Sequence, residues 1–185
     1  FHFVNNFGGV LQAYALSHIL AEECETESVV VDYRNRFITF TDAIRMFPVT
    51  KNPKEFISGL STMHMRRKRS ELFCRFVQEN MALTKTYHSI HELRCDPPDC
   101  TRFICGSDQI WNPIITGGID SAYYLDFAPK EAKRISYAPS FGITSIPQKF
   151  AQKIQAMLLK FDGLSVREQE SVKIIKTLTG KEAEA

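Results

Sequence analysis

The chain has 185 residues, of which 44% are hydrophobic and 24% are charged, proportions typical of a globular domain with a core of its own. Its formal net charge of +2 argues against a general polyanion binder, and basic residues do not alternate with aromatic ones as nucleic-acid binding would favour. No apolar run approaches the roughly 20 residues that span a bilayer, and the first residues lack the pattern of a signal peptide. Five cysteines without a C-x-x-C pair indicate free thiols in a reducing compartment rather than disulfides or a metal site.

Both ends of the chain have the character of interior sequence. The chain starts inside an apolar segment without Met, and it stops just after a predicted helix, where another strand would be due. We therefore expect a fragment of a larger enzyme.

The first third predicts a strand ending at residues 1–4, a Gly-rich turn at 5–9, a helix over 10–24 and a buried strand over 28–33. Backbone N–H groups after such a turn favour anions, although the glycines at 8 and 9 equally suit close packing. Asp32 stands where a nucleotide-binding fold places a ribose-binding acid, but local pairing is the alternative. Arg34, two residues later, is a candidate for binding a phosphate or carboxylate.

A helical insert is predicted over about residues 53–82, after an irregular, apolar-rich segment at 37–53 that has the composition of a flap. The insert contains the basic run Arg66-Arg67-Lys68-Arg69. Such a run is compatible with contact to acidic lipid head groups, and equally with a solvated helix face.

The segment 103–113 (F-I-C-G-S-D-Q-I-W-N-P) predicts a short buried strand that ends in a tight loop. Gly106 permits close approach of the backbone to a ligand, while Ser107, Asp108 and Gln109 supply different polar groups. Trp111, the single tryptophan, is either a wall for stacking a sugar or a core residue. In the second case Ser107 or Asp108 would cap a following helix.

The remaining sequence predicts an extended segment at 123–127, strands at 133–138 and 162–166, and helices at 147–160 and 171–179. Alternating strands and helices indicate an α/β fold, a Rossmann-like parallel sheet with helices on both faces. Polar or Gly-containing turns follow the predicted strands. Because parallel strands end at one edge of a sheet, we expect these turns to form a site together.

Five blocks of this sequence resemble the polysaccharide pyruvyl transferase family. They are 6–16 (N-F-G-G-V-L-Q-A-Y-A-L), 31–34 (V-D-Y-R), 106–112 (G-S-D-Q-I-W-N), 135–142 (I-S-Y-A-P-S-F-G) and 165–168 (S-V-R-E). They occur in the family's order over nearly the whole chain, and the third and fourth are specific when taken together.

The resemblance implies a bacterial enzyme of surface polysaccharide synthesis. Its relatives transfer pyruvate from phosphoenolpyruvate (PEP) to two hydroxyls of a sugar, forming a cyclic ketal and releasing phosphate. The implied fold is similar to two-domain GT-B enzymes. Residues 1–185 would be one Rossmann-like N-terminal domain, the C-terminal domain would be absent from this chain, and the chain alone would be inactive.

The resemblance also implies roles for individual residues. Ketal formation needs acid and base groups and an anion site, for which Asp108 and Glu168 are the candidate catalytic carboxylates and Arg34 and Arg167 the candidate anion clamps. A structural ion pair between Arg167 and Glu168 at the strand end is an equal alternative. The other candidate substrate-binding residues are Asn6, Gly8, Gly9, Gln12, Gly106, Ser107, Gln109, Trp111, Tyr137, Ser140, Phe141 and Gly142.

The expected partners are PEP and a lipid-linked or nucleotide-linked glycan acceptor, with no cofactor, metal ion or nucleic acid. A cytoplasmic location is expected, with contact to the inner face of the membrane left open. Two alternatives remain: a GT-B-like glycosyltransferase that uses a nucleotide sugar, which would explain Asp32, and a non-catalytic glycan-binding domain.

Overall fold

A computed structural model describes residues 1–24, 26–45 and 53–185, with the side chains of residue 45 and of 53–62 left out. The chain divides into two compact units, Phe1–Thr86 and Tyr87–Ala185, and each is described here by itself. The predicted flap residues 46–52 lie outside the described part. Whether the chain acts as one domain stays a prediction.

Three helices make up most of the first unit: α1 (Phe7–Glu22), α2 (Arg36–Arg45) and α3 (Pro53–Asn80). Helices α1 and α3 pack together around an apolar core of Val10, Phe73, Val77 and Met81. The long α3 confirms that most of residues 53–82 are helical, and their role as an insert in a Rossmann-like domain stays a prediction.

Three predictions for the first unit were wrong. Residues 1–4 form turns rather than a strand. In the segment 28–33, Val30 makes an isolated parallel bridge to Leu83, and Val29 is 38% exposed. The β-branched residues favour extended backbone, but the described residues provide no continuous ladder beside them. Residues 36–45 are helical rather than irregular, because the Asn35 side chain accepts a hydrogen bond from the Ile38 N–H (2.9 Å) and caps the helix.

The second unit contains a parallel sheet of three strands in the order β1-β2-β3. The strands are β1 (Arg102–Cys105), β2 (Lys133–Ser136) and β3 (Gly163–Leu164), and the helices are α4 (Ile90–Cys95), α5 (Gln148–Leu158) and α6 (Gln169–Thr179). This confirms an α/β fold with a parallel sheet. The sheet is smaller than predicted, since β3 has two residues. Just after β3, the pairing is an isolated bridge between Ser165 and Glu184.

One element of the second unit differs from its prediction. Residues 121–124 form a 3₁₀ helix, not an extended segment. Asp120 starts it by accepting a hydrogen bond from the Ala122 N–H (3.0 Å), and Leu125 ends it in the left-handed conformation. Tyr124 is thereby buried in the core.

Candidate functional site

The loops that follow β1, β2 and β3 meet at the carboxyl end of the sheet. The sequence predicted that the turns at 5–9 and 32–36 would join them, but these two turns lie in the first unit and follow no strand of the sheet. Ser140, in the loop after β2, lies between two residues of the loop after β1. Its N–H donates to the Asp108 carbonyl (2.8 Å), and its carbonyl accepts from the Trp111 N–H (3.3 Å). The loop after β3 joins through the Arg167 N–H, which donates to the Pro139 carbonyl (3.2 Å). Main-chain hydrogen bonds therefore hold the three loops together.

The Ser140 side chain lies near Glu168. Ser140 is fully buried, its hydroxyl accepts a hydrogen bond from the Gly142 N–H (2.9 Å), and it is close enough to the Glu168 carboxylate to help lower the pKa of that group. Glu168 also accepts from Arg167 Nε (2.9 Å) and from the Ser171 hydroxyl (3.2 Å). We call Asp108, Ser140, Arg167 and Glu168 the strand-end cluster.

The environment of Glu168 favours its ionised form. Partial burial works to raise its pKa, but hydrogen bonds from Arg167 and Ser140, together with the Arg167 charge, outweigh burial and lower the pKa. Glu168 is consequently a carboxylate at neutral pH. It is suited to accept a proton or to stabilise positive charge, and not to donate a proton.

A pair of side-chain amides lies next to Gly142. Asn112 Nδ2 donates to Gln109 Oε1 (3.0 Å), and Asn112 is itself buried. Gly142 has φ of +61°, and a Cβ added there would lie 2.5 Å from Gln109 Oε1 and 2.7 Å from Asn112 Nδ2. The position therefore needs glycine both for its backbone conformation and for space.

Asp108 and three other candidate residues belong to the same converging loops. One Asp108 carboxylate oxygen accepts from the Gln109 N–H (2.7 Å). Gly106 and Ser107 are half-buried, and Tyr137 is 53% exposed. These residues lie in the converging loops, and their contact with a substrate stays a prediction.

Trp111 is a core residue. It is 1% exposed, its ring stacks on Tyr124 with centroids 5.2 Å apart, and its Nε1 donates to the Tyr123 carbonyl (3.0 Å). Phe141, also buried, packs against it. The structure thus does not support Trp111 as a stacking wall for a sugar, because burying so large an aromatic surface favours the core. No helix follows Asp108 directly, so the capping alternative is wrong as well.

Several contributors to this region were not singled out from the sequence. Ser136 and Ser165 exchange hydrogen bonds between β2 and the residue after β3: the Ser136 hydroxyl donates to the Ser165 carbonyl (2.8 Å) and the Ser165 hydroxyl to the Ser136 carbonyl (3.0 Å). Ser171 supports Glu168 from the first turn of α6. Ser136 and Ser165 lie inside the family-like blocks, which is the one signal that could have identified them.

In the first unit, Asp32 is the centre of a second polar cluster. It is 2% exposed and accepts hydrogen bonds from His2 Nε2 (2.9 Å), Arg34 Nε and Nη2 (3.0 Å each) and the Thr86 hydroxyl (2.6 Å). Burial alone would raise its pKa, but these donors lower it well below the ordinary range. The geometry matches the alternative of local pairing, and Arg34 uses two of its donors on this carboxylate.

The other candidates of the first unit lie at the start of α1. Asn6 caps the helix by accepting from the Gly8 N–H (2.9 Å), which makes its side chain a structural group. Gly8 and Gly9 fall inside the first helical turn rather than before it, Gly9 is buried, and Gln12 is exposed. Their substrate contacts stay predictions, as does any joint action of the two units.

Other side chains fit simpler roles. The cysteines at 24, 74, 95, 100 and 105 are free, as predicted.

On α3, Arg69 lies over the rings of Phe7 and Phe73, and Arg67 pairs with Glu71 (3.1 Å). Among the described residues, no helix has the length and apolarity to cross a membrane, and no group of three His, Cys, Asp or Glu is placed to hold a metal ion.

Comparison with known proteins identifies the family. A family model described as polysaccharide pyruvyl transferase matches residues 6–183. No curated protein and no solved structure matched the chain. The match covers both units, including the strand-end cluster and Asp32. The chain therefore belongs to the polysaccharide pyruvyl transferase family.

Proposed function

We propose that this protein transfers pyruvate from PEP to a sugar diol as a cyclic ketal, in the synthesis of a bacterial surface polysaccharide. The family assignment supports a transferase of polysaccharide biosynthesis in general. The observation that carries the specific proposal is the strand-end cluster with the neighbouring Gln109–Asn112 amide pair. Two carboxylates, an arginine, a hydroxyl and two side-chain amides lie there in loops at the carboxyl end of a parallel sheet.

The chemistry requires a proton donor, a proton acceptor and an anion site. A general acid protonates the methylene carbon of PEP, and the C2 carbon then carries positive charge that its oxygen shares. The first sugar hydroxyl attacks C2 and loses its proton to a base. Phosphate leaves with the C–O bond pair, and the second hydroxyl closes the ketal and loses its proton in turn.

Glu168 fits the base in this sequence. Its lowered pKa keeps it ionised, so it can accept a hydroxyl proton or stabilise the positive charge at C2. Arg167, which donates to Glu168 through Nε, retains other N–H groups for an anion. We assign Asp108, in the neighbouring loop, as the second catalytic carboxylate.

The wider setting follows the same proposal. We infer a GT-B-like enzyme in which this chain forms the N-terminal half, with PEP as the donor substrate and no further cofactor. The acceptor would be a lipid-linked or nucleotide-linked glycan. Such an acceptor suits action in the cytoplasm at the inner face of the membrane, and the exposed basic run on α3 would favour that contact.

The test uses the complete gene product with PEP and a panel of lipid-linked and nucleotide-linked sugars. Acceptor-dependent phosphate release, with a product heavier by one pyruvate ketal, is the expected result. Turnover of a nucleotide sugar without any reaction of PEP would overturn the proposal in favour of a glycosyltransferase. Acceptor binding without turnover would instead support a glycan-binding domain.

A further inference from the structure

The first unit contains a small cavity whose lining residues all belong to that unit. Its volume is about 70 Å³, which accommodates about five water-sized groups, because one water needs roughly 10–15 Å³ of such space. An oxyanion with few carbon atoms fits this volume, whereas a nucleotide or a sugar ring does not.

The lining combines one permanent cation with an apolar wall. Arg34 is the cation, Asn5 and Gln78 add side-chain amides, and Phe73 and Val77 supply apolar surface. Among the described residues, no aspartate or glutamate lines the cavity. A group that accepts hydrogen bonds and has a short apolar part is the ligand chemistry that matches this lining.

Asp32 holds Arg34 in place without lining the cavity. Its carboxylate receives Arg34 Nε and Nη2, both at 3.0 Å, and is fixed on its other side by His2 and Thr86. Among the described residues, Arg34 Nη1 has no protein partner. The guanidinium plane is thus oriented by one carboxylate while N–H groups remain for a second.

We propose that this cavity binds a small carboxylate, whose oxygens accept hydrogen bonds from Arg34 and whose short apolar part packs on Phe73 and Val77. The Asp32 charge offsets much of the long-range attraction of Arg34, so binding relies on short-range hydrogen bonds. The resemblance also implies Arg34 as an anion clamp for PEP. The present inference does not depend on that role, because it requires no turnover and involves no residue of the strand-end cluster.

Calorimetric titration of the complete gene product with pyruvate, and separately with inorganic phosphate, tests the proposal. Pyruvate is expected to bind saturably, more tightly than phosphate, because phosphate lacks an apolar part. Arg34→Gln should weaken pyruvate binding by at least about 10-fold. Arg75→Gln is the matched control, since Arg75 is an exposed α3 residue next to lining residue Cys74 and is itself no part of the lining. Its Kd should equal that of the wild type.

Loss of Arg34 also removes a partner of Asp32, so a second variant separates binding from folding. Cys74 is exposed and lines the cavity. Cys74→Phe should fill the cavity, abolish pyruvate binding and keep the wild-type thermal midpoint. Binding unchanged in both variants, phosphate binding tighter than pyruvate binding, or no saturable binding at all would each overturn the proposal. None of these results depends on whether PEP is turned over.

Discussion

In the second unit, main-chain hydrogen bonds between three loops surround Ser140 and bring it to Glu168. In the first unit, side chains from residues far apart in sequence converge on one carboxylate, since His2, Arg34 and Thr86 all donate to Asp32. A cluster whose geometry is fixed by main-chain hydrogen bonds tolerates the loss of one side chain. A cluster that consists of side-chain hydrogen bonds tolerates such a loss less well. The two regions should therefore respond differently to substitution: the strand-end cluster by losing activity, and the Asp32 cluster by losing stability.

The largest effect is expected from Glu168→Gln. Removing a general base lowers kcat by about 100- to 10,000-fold, while the main-chain hydrogen bonds preserve the fold. Because the pKa of Glu168 is lowered from 4.5, the base is ionised above that pH. The acid limb of the wild-type kcat profile that reports this group should then lie below about pH 4.5. Phosphate release from PEP with an active acceptor is the measurement.

Glu170→Gln is the matched control for this variant, because Glu170 is exposed in the first turn of α6. It should retain wild-type kcat. A Glu168→Gln enzyme of normal activity would remove Glu168 from the proposed mechanism and leave it as a structural partner of Arg167.

Asp32→Asn should cause the next largest effect, this time on stability. The variant loses the ionic pairing of a buried carboxylate, and its free energy of unfolding should fall by about 2 kcal/mol. This loss is smaller than is usual for a buried ion pair, because the Arg34 side chain is 45% exposed. The folded-state pKa is below the unfolded value of about 3.8. The stabilisation is thus present above pH 3.8 and is lost as the pH falls further.

Urea unfolding at pH 7 and at pH 3 measures this dependence. The difference in the free energy of unfolding between the wild type and Asp32→Asn should be smaller at pH 3 than at pH 7. Asp42→Asn is the control, since the contact of Asp42 within the described residues is a long one with Asn5 (3.4 Å), and the variant should change stability by less than about 0.5 kcal/mol. An equal difference in the free energy of unfolding at both pH values would contradict the assigned ionic pairing.

Gly142→Ala and Gly180→Ala together separate backbone strain from crowding. Both glycines have positive φ, +61° and +73°, so each alanine pays about 1 kcal/mol for the left-handed conformation. A Cβ at Gly180 has no heavy atom within 4 Å, whereas one at Gly142 displaces the Gln109–Asn112 amide pair. Gly142→Ala should cost about 1 kcal/mol more.

Thermal unfolding of the two variants gives this difference directly. Gly142→Ala should also lower activity, because the displaced amides lie in the loop that contains Asp108, and Gly180→Ala should not. Equal destabilisation of the two proteins would indicate that the amide pair does not constrain the site.

Tyr137→Phe should give the smallest effect. The residue is 53% exposed, so the free energy of unfolding should change by less than about 0.5 kcal/mol. If its hydroxyl contacts the sugar, the KM for the acceptor should rise about 2- to 10-fold, the value of one hydrogen bond. Acceptor titration at saturating PEP measures it, and an unchanged KM would remove Tyr137 from the acceptor site.

The sequence was sufficient where a signal is local. Strand 102–105 follows from an apolar run that ends at Gly106, and helix α6 follows from apolar spacing ending at Gly180, which adopts the left-handed cap. The predicted meeting of the polar turns after β1, β2 and β3 was confirmed, because parallel strands necessarily place those ends at one edge. The family blocks were equally readable, since they are short and continuous.

Tertiary structure alone decided the features that depend on distant partners. Trp111 became a core residue because Tyr124, Phe141 and Phe161 surround it, and no local pattern encodes that enclosure. Asp32 became the centre of a pairing cluster because His2 and Thr86 reach it across 30 and 54 residues of sequence. Residues 28–33 have strand propensity, yet an extended segment becomes a strand only where a neighbour completes its hydrogen bonds. The amino-acid sequence thus determined the family, the α/β class and the strand-end loops, while packing and long-range hydrogen bonding determined which side chains were left available to a ligand.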